Sequence, residues 1–171
     1  NMLSMQVYAE KSFVNQWRKA GGTISDGLKT AAAPAGAAVL AGSQSKPLAE
    51  VLTEMNKHSN NLIARTVFLK LGEHSSDGLT VQAAKNTVRN ELAAAGVDNV
   101  GQLVLENGSG LSRKERATAR MLGQVLEKAY FSPFKQDFID TLPIAGKDGT
   151  LKYRLKQAGP ALRLKTGTLK D

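Results

Sequence analysis

The chain has 171 residues, 42% of them hydrophobic, and carries a formal net charge of +8. That length supports one domain with a real core, and the absence of cysteine excludes disulfides, thiol catalysis and cysteine-ligated zinc or iron–sulfur centres. His58 and His74 are the only histidines, too few for a histidine-rich metal site, and no apolar run approaches the roughly 18 residues that cross a bilayer.

In chain order, residues 7–20 read as an amphipathic helix, with Val7, Tyr8, Phe13, Val14 and Trp17 at helical spacing and Gly21-Gly22 as its stop. The first residues lack the basic-then-apolar pattern of a signal peptide, but a chain opening on Asn1 is silent about compartment. A turn-rich stretch at 23–34 leads to 37–42 (AAVLAG), which suits a short buried strand. Pro47 breaks the pattern and opens a helix over 48–57. After Ser59-Asn60-Asn61 a helix continues to Gly72, apolar around most of its circumference through Leu62, Ile63, Val67, Phe68 and Leu71, and hence expected at the centre of the fold.

A polar loop at 73–79 precedes a helix over 80–95, capped by Thr80 and stopped by Gly96. Residues 102–105 read as a strand and Asn107-Gly108-Ser109-Gly110 as a tight loop. Helices follow at 118–130 and 133–142, and 161–168 (ALRLKTGT) alternates as a strand should. The layout is α+β, mostly helical, with strands too few and too scattered for a self-sufficient sheet. It reads as a fold cut short at both ends.

The basic residues are dispersed, among them Lys57, Lys70, Arg113, Lys114, Arg116, Arg120, Lys152, Arg154 and Lys156. A solvated basic surface explains them, while attraction to anionic lipid, wall polymer or nucleic acid is compatible. With aromatics at 5%, base-stacking platforms are poorly supplied and no nucleic-acid partner is expected.

Two short motifs carry chemistry. Ser59-x-Asn61 alone is weak, since Ser59 or Asn60 would serve equally as a helix cap. Lys165-Thr166-Gly167 lies late in an alternating segment, where lysine and threonine suit a carboxylate and glycine admits a close approach. In this order they match the second and third motifs of the serine penicillin-recognising enzymes, which carry Ser-x-x-Lys, Ser-x-Asn and Lys-Thr-Gly. HSNNLIARTVFLKLG, ENGSGLSR, TLPIAGKDGTLKYR and LRLKTGTLKD extend the match over about 9–171. On these segments the chain resembles the class C low-molecular-mass penicillin-binding proteins, peptidase family S13, which include penicillin-binding protein 4 and the actinomycete DD-peptidases.

The resemblance implies a β-lactamase/DD-transpeptidase-like fold, represented here mainly by its helical subdomain with a few strands of its antiparallel sheet. It implies serine-type D-Ala-D-Ala carboxypeptidase activity, extending to cross-link endopeptidase activity, on peptidoglycan stem peptides. It further implies acylation by β-lactams, no cofactor or metal, and a periplasmic or otherwise extracytoplasmic bacterial location. By the same resemblance, Ser59 relays protons, Asn61 binds the substrate amide and the nucleophile's lysine, and Lys165 supports that network. Thr166 and Thr168 contact the terminal carboxylate beside Gly167, and the Thr168 N–H belongs to the oxyanion hole. Asn107 stands where the family usually has aspartate, and its loop, with Ser109 and Arg113, is expected to support the cleft.

The family's acylating serine should precede all of these residues. Ser43-x-x-Lys46 lies before Pro47, where helix is disfavoured, and Ser132-Pro133-Phe134-Lys135 reads as an N-cap serine followed by proline in the first helical position. Neither stands where the family places its nucleophile, so this chain alone is expected to be inactive, as a C-terminal portion of one penicillin-binding domain. A competing reading is a peptidoglycan-binding protein that kept the cleft without the serine; a basic nucleic-acid-binding domain is motivated by charge alone.

Overall fold

The structure, a computed structural model, describes residues 4–25, 31–39, 42–76, 78 and 80–168. The chain divides into two compact units, Asn1–Gln44 and Ser45–Asp171. The first contains helix α1 (Met5–Lys19), started by Ser4, whose hydroxyl accepts from the Val7 N–H, and finished with Arg18 and Lys19 in its last turn. Basic side chains there complement the carbonyl end of the helix. Phe13 and Trp17 stack at 6.1 Å, and Tyr8, Phe13 and Trp17 are all exposed. Of the strand expected at 37–42, the described residues 37–39 and 42 lack strand pairing, and 40 and 41 lie outside the described residues.

The second unit is built from α2 (Leu48–His58), α3 (Asn61–Lys70), α4 (Val81–Ala94), α5 (Ala119–Tyr130) and α6 (Lys135–Thr141). Pro47 precedes α2 in an extended conformation. Helix α2 ends at Ser59, which is left-handed at φ 52°, and the Ser59 and Asn60 N–H groups both donate to the Met55 carbonyl. Asn60 immediately caps α3, its side chain accepting from the Leu62 and Ile63 N–H groups at 3.1 Å. The chain therefore turns from one helix into the next within two residues, each end satisfied locally.

Thr80 caps α4 as its sequence predicts, and Thr118, expected as the first helical residue, caps α5; they accept from the Ala83 and Met121 N–H groups. Met121, Val97 and Leu103 form a buried cluster flanked by Val88, Leu92, Val100, Leu105 and Val125. Helix α2 packs on α6 and on α3, and α3 on α4.

Three other expectations need correcting. In α3, Phe68 is the buried residue and Leu62 is 74% exposed. Its neighbours α2, α4 and the turn at 107–110 leave Leu62 uncovered, so this apolar helix is not enclosed all round. Residues 102–105 are not a strand: Val100–Gln102 is a 3-10 turn and Val104 makes one antiparallel bridge, to Arg116. Segment 161–168 is extended but pairs only locally, through an antiparallel bridge between Ile144 and Arg163, with Leu164 N–H donating to Pro143 and Ala145 N–H to Leu162. Strand ladders need long-range partners that alternation alone cannot supply.

Helix α6 also starts later than its sequence suggests. The Ser132 hydroxyl donates to the Ala129 carbonyl at 2.8 Å, closing the last turn of α5, and accepts from the Phe134 N–H at 3.2 Å. Phe134 is the cap residue, so Pro133 is not in the first helical position.

Candidate active site

The corner between α2 and α3 opens onto a cleft of about 600 Å³. One wall contains Ser59, Asn61 and Ala64, a second the turn at Gly108, Ser109 and Gly110, and the third Thr150, Arg154 and residues 165–168. The structure thus gathers Ser59, Asn61, Ser109, Lys165, Thr166, Gly167 and Thr168 around one space.

The contact that joins the two sequence motifs is direct. Lys165 Nζ donates to Ser59 Oγ at 2.7 Å, across 106 residues of sequence, and also to the Thr166 carbonyl at 2.7 Å. Ser59 can face Lys165 because it occupies the left-handed corner rather than a helical position. That conformation costs a non-glycine residue about 1–2 kcal/mol, which packing elsewhere must offset. The capping role falls to Asn60 alone, so the Ser59 hydroxyl is not consumed by the helix terminus.

Asn61 Nδ2 donates to the Ser109 carbonyl at 2.6 Å, tying the first turn of α3 to the glycine turn. Asn107 does not line the cleft; its side-chain oxygen accepts from the Ser109 N–H at 2.9 Å, and its carbonyl accepts from Arg65 at 3.1 Å. It builds the turn, as an aspartate in its place would. The tightness of that turn depends on Gly108, at φ 67°, where an added Cβ would lie 2.3 Å from Phe68 Cγ. Arg113 is likewise outside the lining, and its carbonyl accepts from the Arg116 guanidinium at 2.6 Å.

Thr166 meets Thr150 hydroxyl to hydroxyl at 2.7 Å. Thr150 and Arg154 are site residues that sequence reasoning missed. The signal for Thr150 was available in the turn-forming Asp148-Gly149 pair before it, whereas Arg154 was one cation among many until the fold placed it at the cleft.

Among the described residues, the lining includes two cations, Lys165 and Arg154, and no carboxylate. Lys165 stays exposed as a residue, yet partial burial of its ammonium in the cleft pushes its pKa below the ordinary lysine value. An ammonium with a weakened hold on its proton, donating to a hydroxyl, is suited to move protons, and the pair of cations favours an anionic ligand.

Comparison with known proteins places this geometry. The profile of the D-Ala-D-Ala carboxypeptidase 3 (S13) family matches residues 1–171. The chain is 36% identical over 140 residues to a D-alanyl-D-alanine carboxypeptidase of Actinomadura sp., covering 78% of this chain and 26% of that protein. It is 31% identical over 168 residues to the D-alanyl-D-alanine carboxypeptidase DacB of Haemophilus influenzae, covering 95% of this chain and 35% of the relative. The crystal structure of penicillin binding protein 4 (dacB) from Haemophilus influenzae, complexed with a novel β-lactam, superposes with a TM-score of 0.80 at 30% identity, over 98% of this chain and 39% of that one. The chain thus spans about a third of the length of these relatives, and its helices and isolated antiparallel bridges are part of the α+β penicillin-binding fold. The cleft that joins Ser59 to Lys165, the whole-length family match and the structural likeness lead to one conclusion: the chain belongs to the S13 family of D-Ala-D-Ala carboxypeptidases.

Proposed function

We propose that these residues form the substrate-binding and proton-relay side of a serine-type D-Ala-D-Ala carboxypeptidase that trims peptidoglycan stem peptides outside the cytoplasmic membrane. The observation that carries the reading is the 2.7 Å contact from Lys165 Nζ to Ser59 Oγ in a cleft whose lining is cationic. In the reaction, a serine oxygen attacks the carbonyl carbon of the penultimate D-alanine. Its proton passes through the Ser59 hydroxyl to the departing amine, and the C–N bond to the terminal D-alanine breaks. Water then hydrolyses the acyl ester and the serine regains its proton. Lys165 holds and orients Ser59, Asn61 binds the peptide amide, and Thr166 and Thr168 receive the terminal carboxylate beside Gly167. The Thr168 N–H faces the developing oxyanion. The same acylation traps β-lactams, and D-Ala–meso-diaminopimelate cross-links are a further substrate of the same chemistry.

The acylating serine in this reading lies outside the 171 residues. Ser132 does not line the cleft and its hydroxyl is engaged by the end of α5, while Ser43 precedes Pro47 in a segment that disfavours helix. The test is to incubate this chain and the natural gene product with a labelled penicillin and follow covalent label by mass. Label on the natural product and none on this chain is expected. Label on this chain overturns the placement of the nucleophile. A natural product that binds stem peptide without ever being acylated overturns the enzymatic reading in favour of a non-catalytic binder.

A further inference from the structure

The last turn of α2, which delivers Ser59, is fastened to the segment 141–150 at two successive residues. Lys57 Nζ meets Asp148 Oδ2 at 2.6 Å, with the two side chains 15% and 33% exposed. Asp148 Oδ1 accepts the Ile144 N–H at 2.8 Å, so both carboxylate oxygens are engaged. Asn56 Nδ2 donates to Thr141 Oγ1 at 2.8 Å, and that buried hydroxyl donates onward to the Phe138 carbonyl. The main chains also touch: at Gly149, φ 52°, an added Cβ would stand 2.6 Å from the Lys57 carbonyl oxygen.

These contacts close a ring. Ser59 lies two residues beyond Lys57, and Thr150 two beyond Asp148. Thr150 bonds Thr166, whose neighbour Lys165 bonds Ser59. Each member is therefore located from two directions, and the left-handed Ser59 is held by more than its own short linkage to α3. Lys57 and Asp148 are absent from the cleft lining, so the pair touches no bound ligand. A partly buried ion pair contributes little net stability compared with an apolar pair of similar volume, but it fixes a geometry.

We infer that Lys57 and Asp148 are positioning residues, an ionic latch that sets Ser59 against Lys165 for proton transfer. The inference rests on the proposed acylation chemistry and goes beyond it by assigning a role to residues outside the cleft. On the natural gene product, acylation by labelled penicillin should slow about 10- to 100-fold in Lys57→Met, as expected when a reacting group is misplaced by a fraction of an ångström to an ångström. Lys57→Arg, which keeps the cation, should recover most of the rate. The double variant Lys57→Met/Asp148→Asn removes the stranded charge, so its melting temperature should recover while its acylation stays slow. The loss should fall on the acylation step and leave the affinity of the initial complex within about two-fold, since no ligand contact is removed.

A Lys57→Met protein that is labelled at the wild-type rate, or a double variant whose rate returns together with its melting temperature, overturns the latch and leaves the proposed function standing. A wild-type product that is never acylated overturns the function, and the latch with it.

Discussion

Two glycine-bearing turns frame the cleft, and they are fastened by different chemistry. The turn at 107–110 is held through backbone carbonyls: Asn61 donates to Ser109 and Arg65 to Asn107, and Gly108 lies against the Phe68 side chain. The turn at 148–150 is held by a carboxylate, through Lys57 and the Ile144 N–H, and Gly149 lies against the main chain of α2. The second is joined to the helix end that carries Ser59, and it is the turn whose fastening depends on a charge.

Substitution of the glycines gives the largest expected effects and tests both sides of this comparison. Gly149→Ala should destabilise by about 3 kcal/mol, combining a left-handed alanine with a clash against backbone oxygen. Gly108→Ala should cost at least as much, about 3 kcal/mol, because the added Cβ would stand 2.4 Å from the Cβ of buried Phe68, which the α3 backbone fixes. Chemical denaturation of the two variants measures both, and a loss below about 1 kcal/mol at either position would show that its close contact yields. Next in size is Asn61→Ala. Losing its bond to the Ser109 carbonyl should cost about 1–2 kcal/mol, and hydrogen exchange should quicken at 107–110 while 148–150 is unchanged.

The smallest effect is read from pH. Burial favours protonated Asp148, but the Lys57 ammonium and the Ile144 N–H outweigh it and hold the carboxyl below its ordinary range. A carboxyl depressed in the folded state contributes stability that is fully present above its unfolded pKa and is lost as pH falls through the folded value. Wild type should therefore exceed Asp148→Asn in melting temperature at neutral pH, and the gap should close in the acid range. Because Asp148 is about a third exposed, solvent screens the interaction and the gap should be modest. Glu73, Asp98 and Glu106 are also depressed by their partners, but they titrate in both proteins and cancel in the comparison; Asp140, depressed mainly by Gln136 and Arg163, also feels the Lys57 cation and reports part of the same change. A gap that persists unchanged at acid pH would remove the ionic character of the latch.

The helices were legible because their signals are local. Pro47 before α2, Thr80 before α4 and Thr118 before α5 mark starts, and each start appears within a residue of its expected place. The strands were not legible. The apolar residues at 102–105 and the alternation at 161–168 suit a strand, but pairing depends on partners such as Arg116 and Ile144 that local pattern does not identify. Ser132 shows the same limit at a cap, where its hydroxyl turned back to the preceding helix instead of starting the next.

The site divides in the same way. Ser59, Asn61 and Lys165-Thr166-Gly167-Thr168 stand out as residue types in order, because the proposed chemistry restricts which side chains would serve, and the resemblance to the S13 family is read from that order. Which of them touch was decided only by tertiary structure. Asn60 rather than Ser59 caps α3, releasing the hydroxyl to Lys165; Thr150 arrives beside Thr166; and Lys57 reaches Asp148 across 91 residues. Residue chemistry is local information and survives in the one-dimensional chain. Distance between residues far apart in that chain is the outcome of packing, and it sets the relation of hydroxyl, ammonium and latch in this cleft.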